Sequence, residues 1–179
     1  MNNSLLPHAP SMDEPLEMLE ACHDRIEAQL KTLERLVPHL AAHGNDAQAQ
    51  QATLAILRYF DRAGPNHHED EEKDLFPTLR QRVSADDSEA TQSLIDELLR
   101  DHAQMALALA AVRQQLHPLA NGQPDGTLDA ASVQRLATLY RQHIDKENQR
   151  LLPLARRTLS AGDIATLSQH MTARRRQPD

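Results

Sequence analysis

The sequence predicts an all-α protein: an up-down-up-down four-helix bundle followed by a short C-terminal helix. Three observations carry that prediction. Ala, Leu, Gln, Glu and Arg dominate the 179 residues, and these residue types favour helix. Apolar residues recur at alternating steps of three and four through long segments, as the seam of a bundle helix requires. Breaker residues cluster between those segments, and four long helices with short connections pack antiparallel.

The first segment, residues 16–40, aligns Leu16, Leu19, His23, Ile26, Leu30, Leu33, Val37 and Leu40. The second, about 46–83, is less regular: Leu54, Leu57, Phe60, Gly64, His67, Glu71, Leu75 and Leu79. Gly64-Pro65 is expected to kink it, because proline removes a backbone donor. The third, about 87–116, aligns Ile95, Leu98, His102, Met105, Leu109, Val112 and Leu116. The fourth, about 129–157, aligns Val133, Leu136, Tyr140, His143, Glu147, Leu151 and Leu154. Loops are expected at 43–46, 83–88 and 118–129. Ser160 to Asp163 has the form of a capping box, with Asp in the usual Glu or Gln place, and opens a terminal helix ending near Arg174. The expected organisation is a disordered tail over 1–11, the bundle over 12–158, and a short helix with a basic tail over 159–179.

Composition narrows the function classes. A net charge of −7 argues against a nucleic-acid binder, which needs clustered Lys and Arg. The basic clusters, Arg156-Arg157 and Arg174-Arg175-Arg176, read as helix ends or a tail. The longest apolar run, Met105 to Val112, falls well short of the ~20 residues that span a bilayer, so no membrane role is expected. The N-terminus shows no basic and apolar signal regions, which points to the cytoplasm. A single cysteine, Cys22, excludes an intrachain disulfide and a Cys-based zinc or iron–sulfur site. The sequence leaves the oligomeric state open.

Ten histidines stand out. Each helix places one in its seam, and two helices add a glutamate four residues later: His67–Glu71 and His143–Glu147. One helical turn separates each pair, so both side chains share a face. Four His–Glu pairs have this spacing where roughly 0.6 would arise by chance. Two of them share a longer register, with proline six residues after the glutamate, at Pro77 and Pro153. The lone histidines repeat as well, His23 lying 44 residues before His67 and His102 lying 41 before His143. The chain thus reads as two copies of a helix pair. Polar groups in a bundle seam are costly unless hydrogen-bonded or bound to metal. Four histidines and two glutamates suit two near-octahedral ions bridged by both carboxylates. The donor set fits iron or manganese, and zinc is also compatible.

These stretches, His67-His68-Glu69-Asp70-Glu71-Glu72-Lys73-Asp74-Leu75-Phe76-Pro77, Asp101-His102 and His143-Ile144-Asp145-Lys146-Glu147-Asn148, resemble the hemerythrin-like, or HHE cation-binding, family over about residues 12–158. The resemblance implies His23, His67, Glu71, His102, His143 and Glu147 as ligands of two iron ions (Fe2+/Fe3+) with a bridging oxo or hydroxo group. The oxygen-carrying members have a second histidine four residues after that of the third helix, where this chain has Ala106. They end the fourth-helix motif with an aspartate, where Asn148 stands here, and they surround the metals with more aromatic rings. The chain is therefore more similar to iron- and oxygen-responsive members than to an oxygen store.

His68 and Glu72 read as a rim pair beside the ligands, with His68 the candidate for an extra ligand, and Tyr140 as core or a nearby hydroxyl. Cys22 reads as a packing residue, His170 as needing no role, and the charge run Glu69 to Asp74 as motif plus solvated face. The leading function is a di-iron protein that binds or senses a small diatomic or peroxide ligand, or iron itself. The alternatives are an enzyme acting on peroxide or nitric oxide at the same centre, and an iron-responsive regulatory or interaction protein.

Overall fold

The computed structural model describes residues 11 and 13–176. Its helices follow in the order α1 (Pro15–His43), α2 (Ala47–Glu69), a π-helical segment (Asp70–Leu75), α3 (Phe76–Arg82), α4 (Ala85–Ala120), α5 (Ala130–Lys146), a second π-helical segment (Glu147–Leu151), α6 (Leu152–Thr158) and α7 (Ala161–Arg176). No strand occurs among the described residues. The tail expected at the N-terminus falls, for residues 1–10, outside them.

Two apolar clusters set the topology. One gathers Ile26, Leu30 and Leu33 of α1, Phe60 of α2, Met105 and Val112 of α4, and Leu136 and Tyr140 of α5. The other gathers Leu16 and Leu19 of α1, Leu75 and Phe76 after α2, Ile95 and Leu98 of α4, and Leu151 and Leu152 after α5. Successive helices therefore traverse the clusters in alternating order, which is the up-down-up-down bundle. Each passes its seam histidine between the two. α1 packs on α2 and α5, and α4 packs on the same two, closing the ring.

Local chemistry explains the boundaries. Asp46, Ser84 and Asp129 each accept a hydrogen bond from the backbone three residues on, capping α2, α4 and α5. Gly44, at φ 68°, ends α1 with its N–H on the Leu40 carbonyl, a conformation open to glycine at little cost. Because Ser84 caps α4, that helix starts at Ala85, earlier than expected. It also runs through Pro118 to Ala120, since a proline near a helix end removes only one donor.

The second segment is helical through Gly64-Pro65, and its change of winding comes later. α2 continues through Pro65 to Glu69, and the irregularity is the π segment from Asp70. The Phe76 N–H bonds the Glu71 carbonyl five residues back, and the Leu152 N–H bonds that of Glu147 in the same way. The following residues, Pro77 and Pro153, lack the N–H that would resume the four-residue ladder, and their rings crowd the carbonyl four back. A wider turn makes room. The proline that repeats six residues after each glutamate is thus the sequence trace of two π turns.

α7 packs against the bundle. Leu167 and Met171 are buried in the second apolar cluster. Ser160 and Asp163 form the capping box reciprocally, the Ser160 N–H donating to Asp163 Oδ2 (3.0 Å) and the Asp163 N–H to Ser160 Oγ (3.2 Å).

Candidate metal centre

His23, His67, Glu71, His102, His143 and Glu147 meet in the middle of the bundle, all at most 5% exposed. The two carboxylates face both ways. Glu147 Oε2 lies 2.9 Å from His23 Nε2 and 3.9 Å from His67 Nε2, while its Oε1 lies 3.0 Å from His143 Nε2. Glu71 Oε1 lies 3.3 Å from His67 Nε2, and its Oε2 lies 3.3 Å from His102 Nε2. Two donor groups result, His23–His67–Glu71–Glu147 and Glu71–His102–His143–Glu147, each with its donor atoms within 4.8 Å of one another. The π turns begin next to or at the two glutamates, so the wide winding helps place their carboxylates on the axis.

These residues fit a pair of cations. His23 Nε2, both ring nitrogens of His67, Glu71 Oε2 and both oxygens of Glu147 are buried without a hydrogen-bond partner, despite their short separations. Leaving such groups unsatisfied costs about 1–3 kcal/mol each. A set of them at one point is explained by an ion that takes their lone pairs. Neighbours aim the rings from the far side. His23 Nδ1 donates to Asn148 Oδ1 (2.8 Å) and His102 Nδ1 to Glu72 Oε1 (2.6 Å). His143 Nδ1 lies 3.5 Å from Asp101 Oδ2, which Lys146 Nζ also holds at 2.7 Å. Such partners fix the tautomer and leave Nε2 free to ligate. Sequence reasoning missed the roles of Asn148 and Lys146, because both pairings cross between helices far apart in the chain.

Electrostatics separates the two glutamates. Burial, then the facing Glu147, pushes Glu71 well above the usual carboxyl range. Burial also opposes the charge on Glu147, but His143, His23 and His67 outweigh it and hold Glu147 well below that range. Burial pushes His67 down to about 3 and, with neighbouring imidazoles, lowers His68 and His102. For His143 burial works the same way, but Glu147 and Asp101 prevail and raise it. Neutral imidazoles beside charged carboxylates are the state that a cation needs. His67, His102 and Glu147 are favoured in that state, whereas a cation would have to displace protons favoured on His143 and Glu71.

His68 stands at the rim, half-buried, its ring stacked on His102 at 4.0 Å between centroids. One of its nitrogens lies within 4.8 Å of donors of His102 and His143. Tyr140 is buried against Phe60, and burial raises its phenol. Cys22 is buried with its thiol pushed up by burial, the environment of an unreactive packing residue.

The acidic run beside the site is a solvated face only at Glu72 and Lys73, and the arginines at the end of α7, expected as a helix end or tail, are tied to the buried part of that run. Asp70, next to Glu71, is fully buried and held by Arg174 and by Arg175 Nη2 (2.6 Å). Arg174 also binds Asp74 (2.6 Å) and Glu69 (3.2 Å), and His170 Nδ1 donates to Asp74 (2.6 Å). The sequence could not show this, since about 100 residues separate the partners.

Residues 14–155 match the model of a family described as hemerythrin HHE cation binding domain. The chain is also 35% identical over 163 residues to a protein of Haemophilus influenzae described as uncharacterized, an alignment covering 91% of each chain.

Proposed function

Since the chain belongs to the hemerythrin HHE cation-binding domain family, we propose that it is a non-haem di-iron protein that binds or senses a small diatomic or peroxide ligand, or iron itself. One observation carries the reading: each of two buried carboxylates presents one oxygen to each pair of histidines. That is the arrangement of bridging ligands between two ions. Bound iron supplies one-electron steps at each of two centres and coordination positions for a small molecule.

The chain's own residues do the rest. His23 and His67 would hold one ion and His102 and His143 the other, with Glu71 and Glu147 placed to reach both. Asn148, Glu72 and Asp101 keep the rings turned inward. The two apolar clusters exclude water above and below the centre. With no thiolate in the donor set, iron and manganese fit the oxygen and imidazole ligands.

The test is metal content and absorption after anaerobic Fe(II) loading and exposure to air, for wild type, His67→Ala and His143→Ala. About two irons per chain are expected, with charge-transfer bands that both substitutions abolish. Wild-type protein that takes up no iron, or variants that load as wild type does, would sink the reading.

A further inference from the structure

Between α2 and α4 a groove of about 290 Å³ runs inward to His68 and Tyr140. It exists because Gly64, Ala106 and Ala110 line it, and their side chains stop short. Phe60 and Leu109 add apolar wall. Among the described residues that line it, the one charged group, Arg113, is bound to Asp61. An anion entering here meets no free cation, whereas an apolar molecule loses nothing.

The inner end is different. The His68 ring lies nearly parallel to those of His102 (19°) and Tyr140 (18°). Among the described residues neither of its nitrogens has a hydrogen-bond partner. Ring contacts with His67, His102, Tyr140 and His143 hold it, so turning the ring breaks no hydrogen bond among the described residues. Because one of its nitrogens approaches the donors of His102 and His143 within 4.8 Å, the ring spans the gap between groove and centre.

We infer that this groove is the route by which a small uncharged molecule of the dioxygen or nitric oxide kind reaches the His102–His143 side of the centre, with His68 as its inner door. The inference rests on the metal-centre reading and adds where the ligand enters and which ligands the entrance admits.

Two readouts test it. In the metal-free protein, dissolved dioxygen is the paramagnetic probe. The Ala106 and Ala110 methyls, which are exposed but line the groove, should relax faster than that of Ala103, likewise exposed on the same helix but outside the groove, and Ala110→Phe should abolish the difference at Ala106. In the Fe(II)-loaded protein, Ala110→Phe and Ala106→Leu should slow nitric oxide association by about tenfold, leaving iron content and the final spectrum unchanged. His68→Ala should speed association. Helical circular dichroism checks that each variant is folded, and the two plugs guard against either one distorting the bundle. Uniform methyl relaxation, plugged variants that associate at the wild-type rate, or His68→Ala slowing association overturns the route while the metal reading stands. A wild type that takes up no iron overturns both.

Discussion

Asp70, Arg174 and Arg175 should respond unequally to substitution, because only one of the three is a fully buried charge. Replacing both arginines by alanine leaves the Asp70 carboxylate in the interior with no counter-ion, a loss worth about 3–5 kcal/mol. Either single replacement leaves one arginine in place. A charge-assisted hydrogen bond contributes about 1.5–3 kcal/mol, so each single variant should lose about 2 kcal/mol. Asp70→Asn is a different case. Burial outweighs both arginines and raises the Asp70 carboxyl above 3.8, so the folded state disfavours this charge. A neutral amide of the same shape should cost about 1 kcal/mol or less. The pH dependence has a definite sign. The folded chain takes the proton before the unfolded chain does, so acidification from above the folded value down to 3.8 adds stability at this residue. Asp70→Asn removes that gain. Urea unfolding of the metal-free protein, followed by helical circular dichroism, measures all four variants. An Asp70→Asn variant as damaged as the double arginine variant would refute this reasoning, as would a double variant that unfolds at the wild-type midpoint.

Three further outcomes follow from the site and its surroundings. In metal-free protein, burial holds His67 down to about 3 against 6.5 in the unfolded chain; the unfolded chain then binds a proton that the folded one refuses, and stability falls with pH from 6.5 towards 3. His67→Gln should remove up to about 1.4 kcal/mol per pH unit of that slope, and equal slopes in denaturation series run at several pH values would contradict it. Pro77→Ala restores a donor to the Lys73 carbonyl and lets the π turn tighten, so affinity for cobalt(II), measured by titration, should fall about tenfold, as for loss of a group that orients a ligand; unchanged affinity would detach the π turn from the site. Gly64→Ala adds a methyl that meets Phe60 Cδ1 at an ordinary 3.7 Å, so it should raise the thermal midpoint by an amount equivalent to about 0.5–1 kcal/mol, and a lower midpoint would show that the groove floor has no room.

By itself the sequence determined the bundle and the candidate constellation. Seam periodicity is a local property, readable from neighbours three and four residues apart, and it placed four histidines and two glutamates at matching heights. Ser160 and Asp163 were legible for the same reason, since a capping box spans four residues. Even the π turns left a mark in Pro77 and Pro153, although a proline signals a lost donor and not which way the backbone will widen. The tertiary structure alone decided the rest. Which oxygen of Glu147 faces His23 and which faces His143 depends on the distance between α1 and α5. Asn148 turns His23, and Arg174 and Arg175 neutralise Asp70, across more than 100 residues. The groove at Ala106 exists because Gly64 on a different helix also lacks bulk. These are relations between surfaces brought together by packing. No periodicity along one chain segment encodes them, because each depends on what the neighbouring helix presents.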